Sequence, residues 1–173
     1  MYANPESVTR VSSLGAGPIG GGWTAHFLAR GYDVTAYLHD ESERDAFLSI
    51  INTAWVSLID LGLSPGASMD RLSIVTNLEE ALEGAEFVQE SGPERLEIKQ
   101  ALYAQIGSIL PPSVVIGSST SGLMMSDIQA DCTTPERTVI GHPFNPPYLL
   151  PLVEIVGGKK TAPEAVTWAG KFY

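Results

Sequence analysis

The sequence predicts one doubly wound α/β domain over residues 1–173, with a mostly parallel sheet and one added antiparallel strand. Short apolar runs alternate with segments of helical periodicity, which is typical of a parallel sheet covered by helices. A glycine-rich loop separates the first strand from the first helix, and a proline-rich loop precedes the last strand. Apolar residues make up 44% of the 173 residues and charged residues 17%, which supports one core and excludes a disordered chain.

The first half of the chain carries clear helix boundaries. Gly31 and Gly62 are suited to end helices, and Asn77 is suited to begin one. The predicted strands are Val8–Leu14, Val34–Leu38, Leu72–Val75 and Glu86–Gln89, and the predicted helices are Pro18–Arg30, Asp40 or Ser42 to Leu61, and Leu78–Glu83.

The second half continues the alternation. Pro93 is well placed to open a helix that runs to Ile109, since proline is tolerated in a first helical turn. The remaining predicted elements are strands at Val114–Gly117, Thr138–His142 and Leu152–Val156, and a helix from Ala165 to Tyr173.

The last helix raises the question of what its apolar residues contact. Val166, Trp168 and Phe172 have no evident partner, so we expect this chain to be the N-terminal part of a longer polypeptide. The alternative is a terminal helix that packs on the sheet.

Composition also excludes several kinds of partner. Ten Lys and Arg against 20 Asp and Glu give a net charge of −10, which disfavours nucleic-acid binding. No apolar run is long enough to span a membrane, and the histidines and Cys132 lack the spacing of a metal site. A lone cysteine fits a reducing compartment, so we expect a cytoplasmic protein.

The segment Gly15-Ala16-Gly17-Pro18-Ile19-Gly20 predicts a dinucleotide-binding loop. Gly15 permits a tight turn, Gly17 lets the backbone approach a pyrophosphate, and Gly20 lets the helix pack close to the strand. Backbone N–H groups at the helix start would then face the phosphates. The alternative is a glycine-rich turn that serves packing alone.

The end of the second strand concerns the choice of dinucleotide. Leu38 stands at the strand end and cannot accept a hydrogen bond from a ribose hydroxyl. Asp40 is the available carboxylate, and it is equally suited to bind the ribose or to cap the next helix. No arginine follows directly to bind a 2′-phosphate, and Arg44 lies a helical turn further on. NAD is therefore favoured over NADP.

A histidine and a glutamate on consecutive strands suggest acid–base chemistry. An antiparallel return centred on Tyr148 would place Glu154 opposite His142. Such a carboxylate orients the imidazole, which can then accept the proton of a secondary alcohol as hydride leaves its carbon. Ser121 follows the fifth strand and could bond the substrate oxygen. The alternatives are a histidine bonded to the backbone, a solvated glutamate and a turn serine.

Three segments of the chain are the glycine loop, Ser118-Ser119-Thr120-Ser121-Gly122-Leu123 and Gly141-His142-Pro143-Phe144-Asn145-Pro146. They resemble the motifs of the L-3-hydroxyacyl-CoA dehydrogenase superfamily. Four others are Gln89-Glu90-Ser91-Gly92-Pro93-Glu94-Arg95, Gln129-Ala130-Asp131-Cys132, Pro147-Tyr148-Leu149-Leu150-Pro151-Leu152 and Val153-Glu154-Ile155-Val156-Gly157-Gly158. These resemble the carnitine 3-dehydrogenase branch of that superfamily. The similarity extends from about Val8 to Tyr173.

The resemblance implies a Rossmann-like fold with NAD as the cofactor and a role for each matching residue. His142, Glu154 and Ser121 match the residues that handle the substrate hydroxyl, and Asn145 matches an asparagine of the histidine motif. Glu94 and Lys99 match residues near the nicotinamide. Ser119 stands where the acyl-CoA enzymes have asparagine, and Leu38 stands where they have aspartate. The family's helical C-terminal domain, which carries its homodimer contact, lies outside this sequence.

The resemblance further implies NAD-dependent oxidation of a small-molecule 3-hydroxy acid, with L-carnitine as the favoured substrate. Phe144 and Tyr148 could hold its quaternary ammonium by cation–π contact. The alternatives are a 3-hydroxyacyl-CoA or L-gulonate 3-dehydrogenase, or a non-catalytic NAD-binding or structural protein on this fold.

Overall fold

Seven strands and six α-helices make up the domain, which a computed structural model describes over residues 2–173. The strands are β1 (Arg10–Leu14), β2 (Asp33–Tyr37), β3 (Leu72–Val75), β4 (Phe87–Glu90), β5 (Val115–Ser118), β6 (Thr138–Pro143) and β7 (Val153–Gly157). The helices are α1 (Pro18–Ala29), α2 (Arg44–Leu61), α3 (Leu78–Leu82), α4 (Leu96–Ile109), α5 (Met125–Ile128) and α6 (Pro163–Phe172).

The strands form one sheet in the order β3-β2-β1-β4-β5-β6-β7. Every neighbouring pair is parallel except β6 and β7, which run antiparallel. The predicted doubly wound sheet with an added antiparallel strand is therefore confirmed. The chain reverses its direction across the sheet between β1 and β4, and such a switch point opens a crevice at the carboxyl ends of the strands.

Two apolar cores cover the two faces of the sheet. Successive residues of a strand point to opposite faces, so Phe87 joins one core and Val88 joins the other. The first core is built with α1, α2 and α6, and the second with α3, α4 and α5. Both faces are buried, which accounts for the short, continuous apolar runs in the sequence.

The predicted start of α4 at Pro93 is wrong, since the helix begins at Leu96 and Arg95 is its extended N-cap. Pro93 and Glu94 remain in the loop after β4, where the Glu94 carboxylate accepts hydrogen bonds from the segment that follows β5. These tertiary contacts hold the two residues outside the helix.

The helix α6 packs against the sheet, so the expectation that its apolar residues lack a partner is wrong. The Phe172 ring lies 4.2 Å from that of Phe87, measured between centroids, and it stacks on Trp168. Val166 lies against the same core. The alternative of a docked terminal helix is the observed arrangement. Within residues 2–173, no helix combines the length and the apolar character that crossing a membrane requires.

Candidate active site

The glycine loop leads from β1 into α1 with the geometry that its spacing predicts. Gly15 has φ +122°, and a Cβ there would stand 2.5 Å from the Ser91 carbonyl oxygen. A Cβ on Gly20 would overlap the Gly15 carbonyl group, so this glycine lets the helix approach the loop. Gly17 is the N-cap of α1 and has no atom within 4 Å of a built Cβ. The space before the helix N-terminus is thus free for a phosphate group.

A cavity of about 790 Å³ lies beside this loop. One wall comes from the end of β2 and the turn that follows it, with Tyr37, His39 and Glu43. Further lining comes from α4, with the apolar residues Ile98 and Leu102. An apolar cleft beside a phosphate loop fits the adenosine half of a dinucleotide.

The structure places Asp40 in a helix-capping position. Its carboxylate accepts the N–H of Ser42 at 2.8 Å and begins the short 3₁₀ turn Glu41–Glu43. Hydrogen bonds from the hydroxyl and from the backbone N–H of Ser42 lower the pKa of the exposed Asp40 carboxyl. Leu38 is fully buried in the first core. Of the two roles predicted for Asp40, the helix cap is therefore the observed contact.

A buried ion pair lies beneath the loop that follows β4. Lys99 Nζ stands 2.6 Å from Glu90 Oε1, and both side chains are almost wholly buried. The Glu90 carboxylate also accepts the N–H of Gly92 and the hydroxyl of Ser118, each at 2.6 Å. Lys99 Nζ also donates to the Gly92 carbonyl oxygen at 3.4 Å, so the buried ion pair supports the loop from below. Sequence reasoning missed Glu90, although a polar residue that ends an apolar strand is a signal for it.

Glu94 holds the segment that carries Ser121. Its Oε1 accepts from Thr120 Oγ1 at 2.5 Å and from the N–H groups of Ser121 and Gly122 at 3.1 and 2.9 Å. Partial burial raises the pKa of Glu94, but these hydrogen bonds and the nearby Lys99 ammonium outweigh it and lower the pKa overall. Glu94 is therefore held as a carboxylate.

Ser119 belongs to a polar chain that crosses the sheet edge. Its hydroxyl oxygen accepts from Gln89 Nε2 at 2.8 Å and lies 2.8 Å from Ser91 Oγ. Gln89 is fully buried, and its amide oxygen accepts from the hydroxyl of Tyr173. Sequence reasoning missed Gln89 and Tyr173, because nothing in the sequence joins residues so far apart.

His142 and Glu154 stand opposite each other on β6 and β7, in the register predicted from the midpoint at Tyr148. His142 Nδ1 lies 2.9 Å from Glu154 Oε2. An ionised carboxylate only accepts hydrogen bonds, so it selects the neutral tautomer with the proton on Nδ1. Nε2 is then the unprotonated nitrogen, which is the form that a general base requires.

The other predicted substrate residues follow β5 and β6 at the same edge of the sheet. The Ser121 hydroxyl is exposed and makes no hydrogen bond within residues 2–173, so it is free to bind a ligand. Asn145 and Phe144 are exposed just after β6, and the Phe144 ring centroid lies 6.0 Å from that of His142. Tyr148 instead packs against α1 beside Gly22, which leaves Phe144 as the more accessible aromatic ring.

The histidine of α1 packs against neighbouring side chains. His26 packs edge-on against Trp23. Burial, with a smaller effect of Arg30, lowers the pKa of His26 to about 4. In the part of the chain that the structure describes, no three His, Cys, Asp or Glu side chains cluster in a way that could hold a metal ion.

Residues 10–173 match the family described as the 3-hydroxyacyl-CoA dehydrogenase, NAD binding domain. The chain is 54% identical to the L-carnitine dehydrogenase of Streptomyces coelicolor over 170 residues, which cover 98% of this chain and 54% of that protein. It is 50% identical to the L-carnitine dehydrogenase of Pseudomonas putida over 162 residues, which cover 94% of this chain and 50% of that protein.

Two solved structures of dehydrogenases share the fold of this chain. The 3-hydroxybutyryl-CoA dehydrogenase of Escherichia coli superposes with a TM-score of 0.86 at 31% identity, over 95% of this chain and 36% of that one. An NAD+-dependent dismutase, 5-formyl-3-hydroxy-2-methylpyridine 4-carboxylic acid 5-dehydrogenase, reaches a TM-score of 0.87 at 31% identity, over 95% of this chain and 54% of that one. The chain spans about half the length of the curated relatives it matches.

Proposed function

We propose that this chain, which belongs to the family of 3-hydroxyacyl-CoA dehydrogenase NAD-binding domains, is the cofactor-binding half of an L-carnitine dehydrogenase. NAD is the cofactor of this domain. The proposed reaction oxidises L-carnitine to 3-dehydrocarnitine and releases one proton, with NAD+ reduced to NADH. The identity of 54% to an L-carnitine dehydrogenase over 98% of the chain carries the proposal.

Different residues at the carboxyl edge of the sheet would bind the cofactor, accept the proton and bind the substrate oxygen. Gly15, Gly17 and the N-terminus of α1 would hold the pyrophosphate, as the open space before Gly17 supports. When bound, NAD supplies the hydride acceptor. His142 Nε2 would take the hydroxyl proton, and Glu154 would stabilise the imidazolium that forms. Ser121 would hydrogen-bond the substrate oxygen, and Glu94 would fix the backbone that presents it.

Carnitine adds a quaternary ammonium that the site must accommodate. Such a cation cannot donate a hydrogen bond, so an aromatic face is its natural partner. Phe144 is 39% exposed beside His142 and is suited to this contact. Asn145, which follows it, would contact the substrate or the cofactor from the same loop.

A 3-hydroxyacyl-CoA is the second candidate substrate. The superposition on a 3-hydroxybutyryl-CoA dehydrogenase favours it. The lower identity of that protein and the serine at position 119 make it the weaker candidate. A non-catalytic role is disfavoured, because the paired His142 and Glu154 are retained with a hydrogen bond between them.

The test is the initial rate of NADH formation by the protein expressed from its full reading frame. We expect kcat/KM to be highest with L-carnitine, compared with D-carnitine, 3-hydroxybutyryl-CoA and L-gulonate. A higher kcat/KM with either of the last two substrates would contradict the proposal, and so would the absence of turnover with all four.

The proposal extends to a cytoplasmic homodimer. The single Cys132 is buried and free, which suits a reducing compartment. Light scattering after gel filtration of the full-length protein tests the dimer, and a monomer at micromolar concentration would contradict it.

A further inference from the structure

We infer that Glu43 is the carboxylate that recognises the adenosine ribose of NAD and discriminates against NADP. The inference rests on NAD as the cofactor and is independent of carnitine as the substrate. At the end of β2, where a ribose-binding acid is expected, the side chain of Leu38 is fully buried in the core. Asp40, the next carboxylate, is bonded to the N–H of Ser42.

Glu43 folds back over the end of β2. Its Oε2 accepts the N–H of His39 at 3.0 Å and that of Asp40 at 3.3 Å, which fixes the carboxylate in place. Both bonds use the same oxygen, so Oε1 has no partner within residues 2–173. Glu43 lines the cavity beside the glycine loop, whereas Asp40 does not. Glu43 therefore combines an anchored carboxylate, one free oxygen and a place in the lining of the space assigned to adenosine.

This arrangement distinguishes the two dinucleotides by charge. Ribose hydroxyls donate hydrogen bonds, and a carboxylate oxygen is a strong acceptor for them. A 2′-phosphate is an anion that needs a cationic partner, and no lysine or arginine is among the described residues that line this cavity. The nearby Arg44 is already bonded to Glu41 and to the Ile74 carbonyl oxygen. The Glu43 carboxylate would therefore repel the 2′-phosphate of NADP, and no cationic side chain among the described lining residues would offset that repulsion.

The test is titration of the full chain with NAD and with NADP, comparing the parent with Glu43→Gln and Asp40→Asn. Glutamine still accepts the N–H groups of the turn, so Glu43→Gln removes charge and keeps the local structure. We expect Glu43→Gln to raise the Kd for NAD by about 3- to 30-fold. The ratio of the Kd for NADP to the Kd for NAD should fall by at least about tenfold. Asp40→Asn makes the same charge change on a carboxylate outside the cavity and retains the cap, so it should change the ratio by less than about twofold.

Two outcomes would overturn the inference. One is a Glu43→Gln variant with parental constants for both dinucleotides. The other is an equal narrowing of the ratio in Asp40→Asn, which would assign the discrimination to Asp40 or to the net charge of the turn. Thermal unfolding of each variant shows whether the fold is intact, and both outcomes are judged on folded protein.

Discussion

Gly17 shows at the scale of one residue how a position can matter to a ligand and hardly at all to the fold. A Cβ there would meet no protein atom within 4 Å, and its φ of −74° is open to any residue. The side chain would instead enter the space assigned to the pyrophosphate. We expect Gly17→Val to abolish NAD binding in a titration and to leave the thermal unfolding midpoint close to that of the parent. Parental affinity in a folded variant would contradict the phosphate-loop assignment.

Asp40 is the opposite case, since its observed contact serves the fold. Asp40→Ala should lower the midpoint of thermal unfolding through loss of the cap and leave the Kd for NAD unchanged. The hydrogen bonds from Ser42 lower the pKa of Asp40, so the ionised form stabilises the folded state. The difference in stability between the parent and Asp40→Ala should be fully present above the pKa of aspartate in the unfolded chain. It should vanish as the pH falls through the lowered pKa of Asp40 in the folded protein. A difference that persists at low pH would show another cause.

At the scale of an element, the packing of α6 on the sheet depends on a glycine of β6 as well as on the aromatic side chains of the helix. A Cβ on Gly141 of β6 would overlap the Tyr173 ring, whereas a Cβ on Gly170 within α6 would only touch Ile155 at 3.8 Å. We therefore expect Gly141→Ala to lower the free energy of unfolding by about 1–3 kcal/mol through overpacking. Gly170→Ala should raise it by about 0.5–1 kcal/mol, because alanine favours a helix interior.

Denaturant unfolding of these two variants and the parent tests this account. The opposite signs are its essential feature, since both variants add the same methyl group. If Gly141→Ala were as stable as the parent, the tight contact between β6 and the end of α6 would be absent in solution.

The elements that could be predicted from sequence are those set by local pattern. The glycine spacing indicated the loop between β1 and α1, and the midpoint at Tyr148 predicted the pairing of His142 with Glu154. What could not be predicted depends on neighbours that are distant in the chain. The start of α4 depends on the contacts of Glu94 with the segment after β5, and the packing of Phe172 depends on Phe87.

The same distinction applies to the candidate site. Residues within a motif, such as Gly17 and His142, carry their chemistry in the pattern. Gln89 ends a predicted strand and Glu90 follows it directly, and their contacts emerge only when the carboxyl ends of β4 and β5 lie side by side. Glu43 was missed because a carboxylate in the first turn of a helix is an ordinary feature of helix sequences.

At the scale of the whole molecule, the glycine loop and the cavity beside it are formed within this chain, while the proposed reacting pair is exposed to water. The side chains of His142 and Glu154 are 28% and 59% exposed. Catalysis by such groups is more effective when water is excluded. We expect the 173-residue chain alone to bind NAD and to oxidise L-carnitine at less than about 0.1 s⁻¹, against a typical enzyme value of about 10 s⁻¹. A turnover near the typical value would show that no further cover is needed.

The central claim is that His142 removes the substrate proton with the help of Glu154, and kcat/KM for L-carnitine oxidation tests it most directly. The measurement compares the full-length parent with His142→Gln and Glu154→Gln. His142→Gln should lose about 10²–10⁴-fold in kcat/KM and keep its affinity for NAD. Glu154→Gln should lose less, because the amide oxygen still accepts the Nδ1 proton of His142 but carries no charge to stabilise the imidazolium that forms during the reaction. Parental kcat/KM in a folded His142→Gln variant would contradict the claim and assign the proton transfer to another group.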